Sequence, residues 1–65
     1  MKLTVNGEDR DVAADTLGAL LAELDYEGGW LATAVNSMVI RTADRPACRL
    51  KDGDRVEILS PRQGG

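Results

Sequence analysis

MKLTVNGEDRDVAADTLGALLAEL, residues 1–24, decides the fold. Its first five residues alternate. Leu3 and Val5 share one face and Lys2 and Thr4 the other, the period of a half-buried strand. Asn6-Gly7 follows, the pair that most readily takes positive φ at both centres of a two-residue hairpin turn. The return over EDRDVAA has Val12 as its one firm inward residue, so this second strand is expected on an edge. The period then changes. Leu17, Leu20, Leu21 and Leu24 fall at i, i+3, i+4 and i+7, a single apolar stripe. Asp15 or Thr16 stands where a cap is needed to accept a hydrogen bond from an orphan backbone N–H. The predicted helix occupies DTLGALLAELDYEGG, with Gly28-Gly29 as its left-handed stop. Gly18 costs about 1 kcal/mol inside a helix, so packing has to hold this one.

Working outward, WLATAVN reads as a third strand, with Ala32 and Ala34 on one face and Leu31, Thr33 and Val35 on the other. Asn36-Ser37 is a turn and MVIR a short strand. TADRPACRL reads as irregular, because Pro46 breaks any regular pairing. KDGD at 51–54 is a turn. RVEILS is the last strand, with Val56 and Ile58 inward and Glu57 and Leu59 outward. Pro61, lacking an N–H, ends its ladder. A hairpin, a helix and further strands define an α+β roll: a mixed sheet of four to five strands with one main helix across one face. The first and last strands lie parallel, with the helix in the crossover between them. Residues 1–60 are the expected domain and 61–65 a flexible tail ending in Gly64-Gly65.

Bulk properties narrow the function. Sixty-five residues make one domain at most, burying only about 60% of the unfolded surface, with a net stability of roughly 3–5 kcal/mol. Ligand pockets take ~300–1,000 Å³, and so small a chain has little room for one, which weighs against an autonomous enzyme. The net charge is -3, from 8 Lys+Arg against 11 Asp+Glu, so nucleic-acid backbone binding is disfavoured. Tyr26 and Trp30 are the only aromatic residues and form no base-stacking platform. One cysteine allows no internal disulfide. The absence of histidine removes Ser-His-Asp and Cys-His catalysis and the common zinc sites that use it. No apolar run is long enough to span a membrane, and the N-terminus lacks the apolar core of a signal peptide. The expected setting is soluble, reducing and cytoplasmic, with neither nucleic acid nor membrane as partner.

Few residues offer chemistry. Cys48 has Arg45, Arg49 and Lys51 near it in sequence, and their clustering would lower its pKa; otherwise it is a small buried hydrophobe. Glu8, Asp9 and Asp11, and Asp52 and Asp54 around Gly53, group carboxylates, but Asp-Gly-Asp lacks the further ligands of a calcium loop and reads as turn chemistry. No metal or cofactor is expected on the chain. Leu59 is outward and beside the tail. With Trp30 or Met38 close by, it would form an apolar docking patch; alternatively, Trp30 caps the end of the core. Gly64-Gly65 is the most unusual feature. Glycine lets backbone thread a narrow channel because it has no Cβ. Pro61 to Gly65 can extend about 15 Å, enough to carry a terminal carboxylate into a partner's cleft.

Taken in order, VNG at 5–7, TLGALLAEL at 16–24, ATAVN at 32–36, KDGDRVEIL at 51–59 and the final QGG resemble the thiamine-pathway sulfur carriers, the ThiS family, over the whole chain. VIR at 39–41 stands where many relatives carry Val-Pro-Arg, with Ile40 in place of the proline. The resemblance implies the ubiquitin-like β-grasp fold and a carrier that is not itself an enzyme. It implies an adenylating, E1-like partner that uses ATP and magnesium to activate the Gly65 carboxylate. Sulfur, from a cysteine desulfurase in many organisms, then gives a thiocarboxylate, and thiazole synthase takes that sulfur. Gly65 would carry the sulfur, Gln63 and Gly64 would thread the partner's channel, and Leu59 and Arg62 would dock. The small subunit of molybdopterin synthase and carriers of other pathways share the fold and the Gly-Gly end. A ubiquitin-like modifier or a plain interaction module is the reading from a different class.

Overall fold

The computed structural model describes residues 1–26 and 30–60. Five strands form one sheet in the order β2-β1-β5-β3-β4, where β1 is Lys2–Val5, β2 Glu8–Asp11, β3 Ala32–Val35, β4 Met38–Ile40 and β5 Arg55–Leu59. β1 and β5 pair in parallel and the other neighbours antiparallel, so the sheet is mixed, as expected. β2 lies on an edge with all four residues exposed, and Val12 just beyond it is buried.

Both hairpin turns take positive φ at their two central residues: Asn6 (50°) and Gly7 (83°), then Asn36 (51°) and Ser37 (70°). These are the values a type I′ turn needs to follow the twist of its strands. One helix, α1 (Leu17–Glu23), covers one face of the sheet. Its leucines 17, 20 and 21 join Leu3, Val5, Leu31, Val56 and Ile58 in the core. Thr16 is the cap, its hydroxyl accepting from Ala19 N–H at 3.1 Å.

The helix stops earlier than the glycines suggested. Asp25 takes the left-handed conformation (φ 63°). Tyr26 N–H reaches Leu21 C=O at 2.9 Å and Asp25 N–H reaches Ala22 C=O at 3.2 Å. These two bonds satisfy the last carbonyls in the pattern usually built around glycine, and Asp tolerates the same region better than most residues. Gly28-Gly29 lie outside the described residues.

The stretch read as irregular is also ordered: Thr42–Ala47 forms a 3-10 helix with Pro46 inside it. It packs on α1, and a Cβ on Gly18 would stand 3.2 Å from Pro46 Cα. Gly18 therefore permits a close approach of two backbones. Arg45, in the same turn, is only 6% exposed. Its Nη2 donates to Leu31 C=O at 2.6 Å and its Nε to Thr33 Oγ1 at 3.0 Å, tying the 3-10 helix to β3. No helix among the described residues is long and apolar enough to cross a membrane.

Candidate functional site

The helix covers one face of the sheet, and the other face divides in two. Around β1 and β2 it is polar: Thr4 Oγ1 donates to Asp9 at 3.2 Å, and Asp11 meets the N-terminal ammonium. Around β3, β4 and β5 it is apolar. The registers set Ala32 opposite Leu59, and Ala34 between Val39 and Glu57. Side chains paired across strands point to the same face. Ala32, Ala34, Val39 and Leu59 thus line one shallow groove of about 230 Å³, together with Asn6, Thr33 and Glu57. This lies below the usual size of a small-molecule pocket and suits contact with another surface. Leu59 is outward and 71% exposed, as alternation required.

Its expected companions are replaced. Val39 lines the groove, whereas Trp30 and Met38 do not. Trp30 is 80% exposed and does not cap the core. Val39 escaped notice because only the pairing of β4 with β3 brings it to Leu59.

β5, which leads to the tail, is held at both ends by asparagine side chains from the two hairpin turns. Asn36 Oδ1 accepts from Arg55 N–H at 2.9 Å, and its Nδ2 donates to Asp54 at 3.0 Å. Asn6 Oδ1 accepts from Ile58 N–H at 2.8 Å, and its Nδ2 donates to Ile58 C=O at 3.2 Å. The sequence marked both residues as turn formers and gave no sign of these ties.

The other candidates are structural. Arg45 turns away to Leu31 and Thr33, and the lowering of the Cys48 pKa expected from clustered cations is not found. Burial pushes the Cys48 thiol up, and the Asp54 carboxylate raises it further; a thiol held protonated is a poor nucleophile. The Cys48 carbonyl accepts from Leu17 N–H at 2.8 Å. Asp52 accepts from Lys2 N–H and Asp54 from Lys51 N–H, both at 2.8 Å, so both serve the turns. Burial alone would raise Asp54, but bonds from Asn36 and Lys51 N–H, with the Lys51 charge, outweigh it and hold the carboxyl below its ordinary value. Among the described residues no three His, Cys, Asp or Glu side chains gather as a metal ion would require. Arg62, Gln63, Gly64 and Gly65 lie outside the described residues.

A mixed five-stranded sheet with parallel first and last strands, backed by one helix, is the β-grasp roll. The ThiS family model matches residues 3–65. A sulfur carrier protein ThiS from Thermus thermophilus is 34% identical over 94% of this chain and 95% of its own. A thiazole synthase from Paramagnetospirillum magneticum is 35% identical over the whole chain, which spans 20% of that relative's length. The crystal structure of the thiamine biosynthesis protein ThiS from Geobacter metallireducens superposes with a TM-score of 0.82, at 33% identity and full coverage of both chains. Its solution structure gives 0.81 at 32% identity, covering 100% of this chain and 88% of that one. The chain belongs to the ThiS family, the sulfur carriers of thiamine biosynthesis.

Proposed function

We propose that the chain carries sulfur on the carboxyl carbon of Gly65 and is a co-substrate of its partners. A Gly65 carboxylate oxygen attacks the α-phosphorus of ATP in an adenylating enzyme that also supplies magnesium, and pyrophosphate leaves. The terminal sulfur of a persulfide, delivered by a cysteine desulfurase, attacks the carbonyl carbon and AMP leaves. A thiol then reduces the S–S bond and frees the thiocarboxylate. Thiazole synthase takes the sulfur from it.

The observation that carries this reading is the apolar groove of Ala32, Ala34, Val39 and Leu59. It sits at the end of β5, two residues before the Pro61–Gly65 segment. A partner covering the groove would bury Leu59 and place a tail reaching about 15 Å at its own active site. Gln63 and Gly64 would pass through the channel and Arg62 would meet the partner at its mouth. The family match, and a relative named thiazole synthase that is similar over this whole chain, support thiazole formation as the destination of the sulfur.

Intact-mass measurement tests the reading. The chain is incubated with the adenylating enzyme of the same genome, ATP, magnesium, cysteine and a desulfurase. The expected product has one oxygen replaced by sulfur and is absent when Gly65 is deleted. No change in mass refutes the carrier reading, and an amide-linked lysine adduct in its place makes the chain a modifier.

A further inference from the structure

Asn6 sits where the support of β5 runs out. On its β1 side, the main-chain bonds to β5 end with Asn6 N–H to Val56 C=O at 2.9 Å. Beyond that point β1 turns away into the hairpin. Ile58 still has an N–H and a C=O facing that side, and the Asn6 amide takes both. On the other side β3 pairs as far as Leu59. Ile58 is therefore the last residue of β5 held from both sides, one residue before Leu59 and seven before Gly65. Asn6 also lines the groove that contains Leu59.

We propose that Asn6 is a positioning residue for the sulfur-carrying tail: its side-chain amide extends the ladder by one step, holding Leu59 in the docking groove and fixing where the tail leaves the domain. The inference rests on the carrier reading above. With the amide gone, the end of β5 keeps one neighbour, and the partner must order it on docking. Fixing one backbone residue costs enough to weaken association roughly 5- to 30-fold. That loss belongs to binding rather than to the chemical step, so it falls on KM and spares kcat.

Asn6→Gly is the decisive variant, because glycine accepts the φ of 50° without strain and removes the amide, while the freedom it adds to the unfolded chain is matched in the control. Asn36→Gly is its control. It makes the same change at the same turn position (φ 51°), but frees the opposite end of β5 and leaves buried Asp54 one bond short. Asn6→Asp is the second variant; it keeps the turn and the acceptor for Ile58 N–H and loses the donor. ATP–pyrophosphate exchange is measured with the full chain as substrate of the adenylating enzyme, alongside amide hydrogen exchange of the carrier alone.

The expected result for Asn6→Gly is a KM about 10-fold higher with kcat within about twofold, and faster exchange confined to Ile58 and Leu59. Asn6→Asp gives a smaller rise in KM, and Asn36→Gly leaves KM unchanged despite losing stability. Wild-type KM in both Asn6 variants, or an equal rise in Asn36→Gly, overturns the proposal while the carrier reading stands. If the wild-type chain supports neither exchange nor thiocarboxylate formation, the carrier reading fails and this inference with it.

Discussion

Arg45 offers the sharpest test of what holds the sheet to the 3-10 helix. The guanidinium is buried and donates to Leu31 C=O and Thr33 Oγ1, and none of the ion pairs among the described residues includes it. In Arg45→Met the stem survives and the two donors vanish. Thr33 keeps a partner, since its hydroxyl donates to Ile40 C=O at 2.8 Å. The Leu31 carbonyl loses the charged donor beside it. A buried acceptor left unmatched costs about 1–3 kcal/mol, partly offset because no charge is then buried. The expected destabilisation is about 2 kcal/mol. Arg45→Ala also removes the two buried methylenes Cγ and Cδ, worth ~0.8 kcal/mol each, for a total of about 3.5 kcal/mol. That consumes most of the roughly 3–5 kcal/mol available to a domain this small. Urea unfolding followed by far-UV circular dichroism measures both; Trp30 is too exposed to report on the core. Because no carboxylate partner is involved, the Arg45→Met loss should be the same at low salt and at about 1 M salt, where surface ion pairs are screened. An unchanged midpoint for Arg45→Met, or a loss that disappears in salt, refutes the role assigned to the guanidinium.

Leu59→Asp changes an exposed side chain, so stability should stay within about 0.5 kcal/mol. The KM for adenylation should rise more than about 10-fold if Leu59 is an anchor of the interface; a wild-type KM would remove the groove from docking. Ser37→Gly relieves a non-glycine residue at φ 70°. Against a strain of about 1–2 kcal/mol stands the added freedom of the unfolded chain, about 0.4–1 kcal/mol. The net gain should be about 0.5–1 kcal/mol, seen as a higher urea midpoint. Asp54 sets an acid dependence. Its carboxyl is lowered in the folded state, so its contribution is fully present above the ordinary carboxylate value near ~3.9. It is lost as pH falls from there through the folded value. Urea midpoints measured across that acid range should fall, and Asp54→Asn should flatten the fall; an identical slope in the variant would show that other carboxylates carry it.

What the sequence makes legible is what repeats. The alternation in β1 and β5, the leucine stripe of α1 and the two Asn-led turns each carry a period or a turn signature, and alternation alone put Leu59 on the outer face. What escapes has no period. Gly18 reads as a cost and Pro46 as a break, yet they are two sides of one contact, the glycine admitting the proline's backbone at a distance that would crowd a Cβ. Arg45 reads as one of the cations near Cys48 in an irregular stretch, because its acceptors lie 14 and 12 residues back. Asn6 is the extreme case: its role in the turn is local, but its tie to Ile58 spans 52 residues. A polar side chain that both forms a turn and satisfies remote backbone is underread by any local pattern, since the turn already accounts for its presence. Of the two asparagines that tie down β5, Asn6 is the one that shares the groove with Leu59. Together they tie down both ends of β5, the strand whose Val56 and Ile58 join the α1 leucines in the core and whose outer face carries Leu59 into the groove.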